Sequence, residues 1–135
     1  NILDSDNNSL LKERSVLAIA CYSLIYFAKD CINKGVSGYI GYEGKLMVTC
    51  VDVPLVNMEI IQKCYKTPNN TGAVQLFKNK HIKGVYDGMR KAYDSEIDEL
   101  RNLALNDEKY RPFVLPLLMN FNSLNYETNK QSENK

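Results

Sequence analysis

Four cysteines, one histidine, a knot of carboxylates and four evenly spaced glycines are the places where this 135-residue sequence could hold chemistry. The glycines, in GVSGYIGYEGK at 35–45, stand three apart at 35, 38, 41 and 44. A Walker-type phosphate loop needs four residues between its glycines, then Lys and Ser or Thr opening a helix, so that backbone N–H groups converge on the anion. Here the spacing is two, and Lys45 leads into KLMVTC, a β-like run. The dinucleotide pattern GxGxxG fails equally. What remains is a loop that turns sharply while presenting Tyr39, Ile40 and Tyr42, side chains with large contact area and small entropic cost.

His81 is the only histidine and sits in KNKHIK. A His-rich zinc site is therefore excluded, and a cysteine zinc site would need close pairs such as C-x-x-C, which are missing. No Ser-His-Asp or Cys-His arrangement can be assembled around any other residue. Asp94, Glu96, Asp98 and Glu99 read as a surface charge run beside a helix start, where carboxylates complement the helix dipole. The expectation is no catalytic residue, no metal and no cofactor: not an enzyme.

Composition agrees with a binding role. Apolar residues make up 44% and charged ones 24%, as in one ordinary globular domain. A net charge of +1 provides no field for a phosphate backbone or an anionic membrane, so nucleic acid is not an expected partner. The longest apolar run, SVLAIACYSLIYFA at 15–28, is shorter than the roughly 20 residues that span a bilayer.

The elements that would position these residues follow from periodicity. Leu10, Val16, Leu17, Ala20, Leu24, Phe27, Ala28 and Ile32 recur at helical steps and predict one long helix from Leu10 to about Asn33, capped by Ser9 and closed by Gly35. Residues 36–50 are expected to be a loop or short β-hairpin. A second helix should open near Asp52 and Pro54, carry Leu55, Met58, Ile61 and Tyr65, and stop before Pro68, with TPNNTG as a turn. Ile82, Val85, Tyr86, Met89, Tyr93, Ile97, Leu100 and Leu103 form a helical stripe, in one helix or in two separated near DSEID at 94–98. Pro112 and Pro116 break up a short apolar segment after it. The fold class is mainly α, a bundle of about four to five helices over residues 1–124, with 125–135 a disordered polar tail.

Helical geometry also constrains the cysteines. Cys21 and Cys31 would lie about 15 Å apart on the first helix, beyond the roughly 7 Å a disulfide allows. Cys50 and Cys64 flank the second helix in the same way. An antiparallel hairpin then pairs Cys31 with Cys50 and Cys21 with Cys64, the alternative being four reduced cysteines in a cytoplasmic protein. Two disulfides would imply export, periplasmic or secreted, and the chain's opening on Asn1 carries the expectation that a secretory signal has been removed.

The order C…CINKGVSGYIGY…CVDVP…KTPNN…HIKGVYDGMRKAY, over residues 17–93, resembles the small exported immunity proteins that protect bacteria from the peptidoglycan amidases of type VI secretion systems. The matching points are Cys31 followed by Gly35 and Gly38-Tyr39-Ile40, Cys50 followed by Pro54, and Pro68 ahead of an amphipathic helix. The cysteine often found at the end of that family's last helix is absent here. The C-x9-C unit of Cys21 and Cys31 is also similar to the paired-cysteine hairpins of the mitochondrial intermembrane space, although Cys50 and Cys64 form C-x13-C. Both resemblances imply an exported, disulfide-stapled helical binding protein without catalysis.

The expected function is inhibition or neutralisation of a partner protein, a toxin or an enzyme. Tyr39, Ile40, Tyr42, Glu43 and Lys45 form the inserting element, with aromatic area and charges of both signs. Gly84 and Gly88 offer a second, smooth helix face for another helix of the chain, a partner or a second copy. The alternatives are a subunit of a larger complex, or a small carrier holding an apolar ligand among Tyr22, Phe27, Met58, Met89 and Tyr93.

Overall fold

The computed structural model describes residues 8–48, 56–78 and 81–130. Cys50, Asp52, Pro54, Leu55 and the polar end beyond Lys130 lie outside the described residues, as does the side chain of Ser9. The protein is mainly helical and carries a small three-stranded sheet. Strand β1 is Ser15–Leu17, followed by a π-helical turn at Leu24–Ala28 that continues into α1, Lys29–Asn33. Strand β2 is Gly38–Tyr42, then come α2, Met58–Phe77, and α3, Ile82–Asn106. Helix α4 is Val114–Ser123 and strand β3 is Leu124–Thr128.

The long first helix is not formed. Its hydrophobic run is divided between a strand and a helix, and β1 pairs in parallel with β2, Val16 opposite Tyr39. Strand β3 lies antiparallel on the other side of β2, Ile40 opposite Tyr126, so the tail expected from residue 125 is strand as far as Thr128. The end of α1 is as the sequence implies: Gly35 takes φ +94°, its N–H donates to the Ile32 carbonyl, and Val36 N–H donates to that of Cys31. That double bond is a Schellman termination, which glycine permits because it has no Cβ to clash in the left-handed region.

The glycine stretch is not a loop but the central strand, buried at every residue from Gly38 to Tyr42. Side chains alternate across it. Tyr39 joins a small core with Leu24, Ala28, Cys31 and Val36, while Ile40 and Tyr42 join the larger core made by α2, α3 and α4. Glycine is required where neighbours close in. A Cβ on Gly38 would stand 2.9 Å from Ile82 of α3, and one on Gly41 would stand 2.6 Å from Ser23 Oγ and 3.0 Å from the Leu24 backbone.

Helix α2 runs straight through Pro68, which is buried, and the TPNNTG turn is absent. An interior proline costs about 3 kcal/mol. Against this the helix buries Ile61, Cys64, Tyr65, Pro68 and Gly72, the last packed against Met89 of α3. Tertiary packing therefore outweighs local preference. Asn57 starts the helix, its side chain accepting from Glu59 N–H at 3.1 Å. Helix α3 is a single helix with no break at 94–98, and Ile82, Val85, Met89, Tyr93, Ile97 and Leu100 are its buried stripe. Pro116 sits in the first turn of α4, where a missing N–H costs no helical bond.

The staples are not there. Cys21, Cys31 and Cys64 are free thiols, so neither Cys31–Cys50 nor Cys21–Cys64 is formed. The long first helix that would have aligned them is not formed, and Cys21 is exposed while Cys64 is buried in the larger core. Burial pushes the Cys64 thiol up to about 12, helped by the nearby Glu96 and Glu99, and raises that of Cys31. Native-state alkylation followed by peptide mapping should modify exposed Cys21 and leave Cys31 and Cys64 untouched until denaturant is added. Early labelling of Cys64 would show that α2 does not pack as described.

Candidate functional site

The turn between β1 and the first helix is held from several sides. Ala18 N–H donates to the Ile40 carbonyl at 2.9 Å, continuing the sheet past β1. The buried Ser23 hydroxyl donates to the Ala18 carbonyl and accepts from Tyr42 N–H, both at 3.1 Å. Tyr22 N–H donates to the Gly44 carbonyl at 2.9 Å, and the Cys21 sulfur accepts from Leu46 N–H at 3.3 Å. Tyr22 sits at φ +55°, a conformation few non-glycine residues adopt and one that persists only where surroundings enforce it.

This pinned turn displays what the core leaves out. Ile25 is 58% exposed and Tyr26 70%, large values for apolar side chains on a rigid element. Tyr22 and Ile19 are exposed as well, and the rings of Tyr22 and Tyr26 meet edge to face with centroids 6.1 Å apart. Isolated exposed apolar residues are ordinary, but neighbouring ones on a fixed turn and on the helical segment Leu24–Ala28 that follows it form a ridge of the kind used in protein recognition.

Beside the ridge lies a half-open cleft of about 390 Å³. Its apolar wall is Ile19, Leu46, Met47, Val48 and Tyr65, and its polar side is Gln62, Lys66, Asn69, Asn70 and Asn120. Ile19 follows β1, and Leu46–Val48 follow β2. The cleft thus opens beyond the carboxyl ends of the two parallel strands. Asn120 of α4 holds the segment in place, accepting from Met47 N–H at 2.7 Å and donating to the Met47 carbonyl at 2.8 Å.

Behind the cleft a hydroxyl relay locks the core to its floor. Tyr42 Oη donates to Asn69 Oδ1 at 2.5 Å, so the 2.7 Å contact between Tyr42 and Tyr93 has Tyr93 as donor. Desolvation pushes the Tyr42 phenol up to about 12 and raises that of Tyr93 further, which keeps both protonated as the relay requires.

The residues expected to insert into a partner divide. Tyr39, Ile40 and Tyr42 are at most 1% exposed and belong to the core, so in this fold they offer no surface. Glu43 and Lys45 are exposed just beyond β2, Glu43 accepting from Asn125 Nδ2 at 2.9 Å. The glycine face also divides: Gly88 lies against Gln75 of α2, while a Cβ on Gly84 would meet nothing within 4 Å. The residues suggested for a carrier do not line one cavity. Met89 and Tyr93 are buried in the main core, Phe27 packs in the smaller one, and Tyr22 is exposed. His81 is exposed at the start of α3.

Sequence reasoning missed the ridge because it assigned residues 18–26 to the interior of a helix. One signal was available: Leu24, Ile25, Tyr26, Phe27 and Ala28 are consecutively apolar, and a half-buried helix cannot turn all five toward the core. No helix among the described residues is long and apolar enough to cross a membrane. Compared with known protein families, curated proteins and solved structures, the chain matches none.

Proposed function

We propose that the protein is a non-catalytic binding protein of the inhibitor or immunity type, which occludes a partner protein by docking it on the ridge and cleft. The observation that carries this reading is the pinned turn, with Tyr22 held at positive φ and Ile19, Ile25 and Tyr26 exposed around it. A rigid aromatic and aliphatic surface loses little entropy on docking. A cleft near the lower end of ligand-pocket sizes, about 300–1,000 Å³, accepts one or two side chains of a partner segment. Its amides can meet that segment's backbone as Asn120 already meets Met47. Glu43 and Lys45 supply charged groups near the end of β2, as the polar rim of an interface requires.

The double variant Tyr22→Asn, Tyr26→Ala tests it, asparagine being chosen because it tolerates the left-handed conformation. Thermal melting should stay close to that of the parent. Quantitative capture of the partner from the source organism's lysate should fall by more than about 30-fold, as expected for loss of one hot-spot aromatic worth about 2 kcal/mol. Undiminished capture by a stably folded double variant removes the ridge from the interface.

A further inference from the structure

Away from the ridge, α2 and α3 bring together three groups that the sequence did not associate. Cys64 of α2 and Glu96 and Glu99 of α3 place a sulfur and two carboxylate oxygens all within 4.8 Å of one another. Cys64 is fully buried and the Glu96 side chain is only 7% exposed. Glu96 Oε2 is buried without a hydrogen-bond partner. Its nearest cation, the Lys63 ammonium, stands 3.6 Å away because it is bonded to Glu99 at 2.8 Å. A buried carboxylate oxygen without a hydrogen bond is costly, and one ammonium divided between two carboxylates satisfies it incompletely.

We propose that Cys64, Glu96 and Glu99 form a binding site for a thiophilic divalent cation of the zinc class, and that Lys63 is a tethered ammonium occupying the carboxylates in the cation's absence. A second ammonium or a hydroxyl would satisfy Glu96, but only a soft cation also uses the sulfur beside it. Magnesium and calcium are hard ions that take oxygen, from water where the protein supplies none, and would leave the sulfur unused. Zinc takes sulfur at about 2.3 Å and carboxylate oxygen at about 2.0–2.2 Å, so ligand atoms must approach to about 3.5 Å of one another. Glu99 can close that gap, being 44% exposed at its side chain, and Lys63, 54% exposed, can swing into solvent. The thiol proton leaves to solvent as the metal–sulfur bond forms. Two helices deliver the set: Glu96 and Glu99 share a face of α3 at i, i+3, and Cys64 meets them from α2.

The site is independent of the docking ridge, and its test does not involve a protein partner. Reduced protein carrying Cys21→Ser and Cys50→Ser is titrated with Co²⁺, and zinc affinity is read by competition with a chromophoric chelator. The expected result is a thiolate-to-cobalt charge-transfer band saturating at one equivalent and abolished by Zn²⁺. Adding Cys64→Ser should remove the band. Glu99→Gln, a surface change with little effect on folding, should weaken zinc binding at least about tenfold, the least that even an outer-shell partner is worth. Lys63→Gln should strengthen it several-fold by removing the competitor. No band, a band that survives Cys64→Ser, or equal zinc affinity in the parent and Glu99→Gln overturns the assignment. Should Cys64→Ser fail to fold, the opposed effects of Glu99→Gln and Lys63→Gln decide it.

Discussion

Tyr93→Ala should lower the unfolding free energy by about 3–5 kcal/mol, the range for removing a buried aromatic ring. Tyr93 is fully buried in the larger core, meets Phe121 edge to face at 6.1 Å and ends in the hydroxyl that donates to Tyr42. Removing the ring empties a space bounded by three elements, α3, α4 and β2, which cannot all collapse into it. Tyr93→Phe separates packing from hydrogen bonding. It keeps the ring and deletes one bond of the relay, while Tyr42 retains Asn69, so a loss of only about 1 kcal/mol is expected. Urea unfolding measures both, with the midpoint falling and the denaturant slope unchanged. Equal losses in the two variants would place the stability in the hydroxyl and not the ring.

Gly41→Val should be comparably damaging for the opposite reason, excess volume. A side chain at 41 enters the space held by Ser23 Oγ and the Leu24 backbone, and backbone cannot rotate aside as a side chain can. Overpacking in a core costs about 1–3 kcal/mol, with larger values where backbone must move, and here the displaced Ser23 also loses its bonds to Ala18 and Tyr42. Loss of about 3 kcal/mol or more is expected. The same displacement would unpin the turn carrying Ile19, Tyr22 and Tyr26, so partner capture should decline even at temperatures where the variant remains folded. A variant with the parent's melting temperature would show that β2 and the turn are not in contact as described. Gly44→Ala is the internal control, since a Cβ there meets only Ser123 at 3.5 Å.

How much of this was legible in the sequence depended on whether local pattern and tertiary context agreed. The α3 stripe was read correctly because a half-buried helix repeats its apolar positions faithfully, and Gly35 was read as a terminator because that conformation is local to the chain. Residues 15–28 were misread because the half-buried strand, the turn after it and the helix that follows form one nearly unbroken apolar run. Their boundary leaves no break in periodicity. Pro68 was misread because its cost is local while the compensating contacts come from α3. In 38–42 the glycines suggested a loop, since sequence alone cannot show that Ile82 and Ser23 press against the backbone there. Of the residues expected to meet a partner, Glu43 and Lys45 are exposed and Tyr39, Ile40 and Tyr42 are buried. Ile19, Tyr22, Ile25 and Tyr26 became visible only once the turn was placed. The Cys64, Glu96 and Glu99 cluster joins two helices and had no sequence motif to announce it.

The position of β3 bears on how the chain comes to be folded at all. It completes a sheet whose central strand was made far earlier: the side chains of Glu43 and Asn125 meet across a separation of 82 residues. At ribosomal speeds of about 5–20 residues per second, β2 waits roughly ten seconds for its second neighbour. During that interval one edge of an apolar strand, Tyr39 and Ile40 included, stands open to other nascent chains. Helices α2 and α3 rest on near-sequence contacts and can assemble meanwhile, leaving closure of the sheet as the slow, non-local step. The strand that finishes the fold is also the one that seals its most association-prone edge.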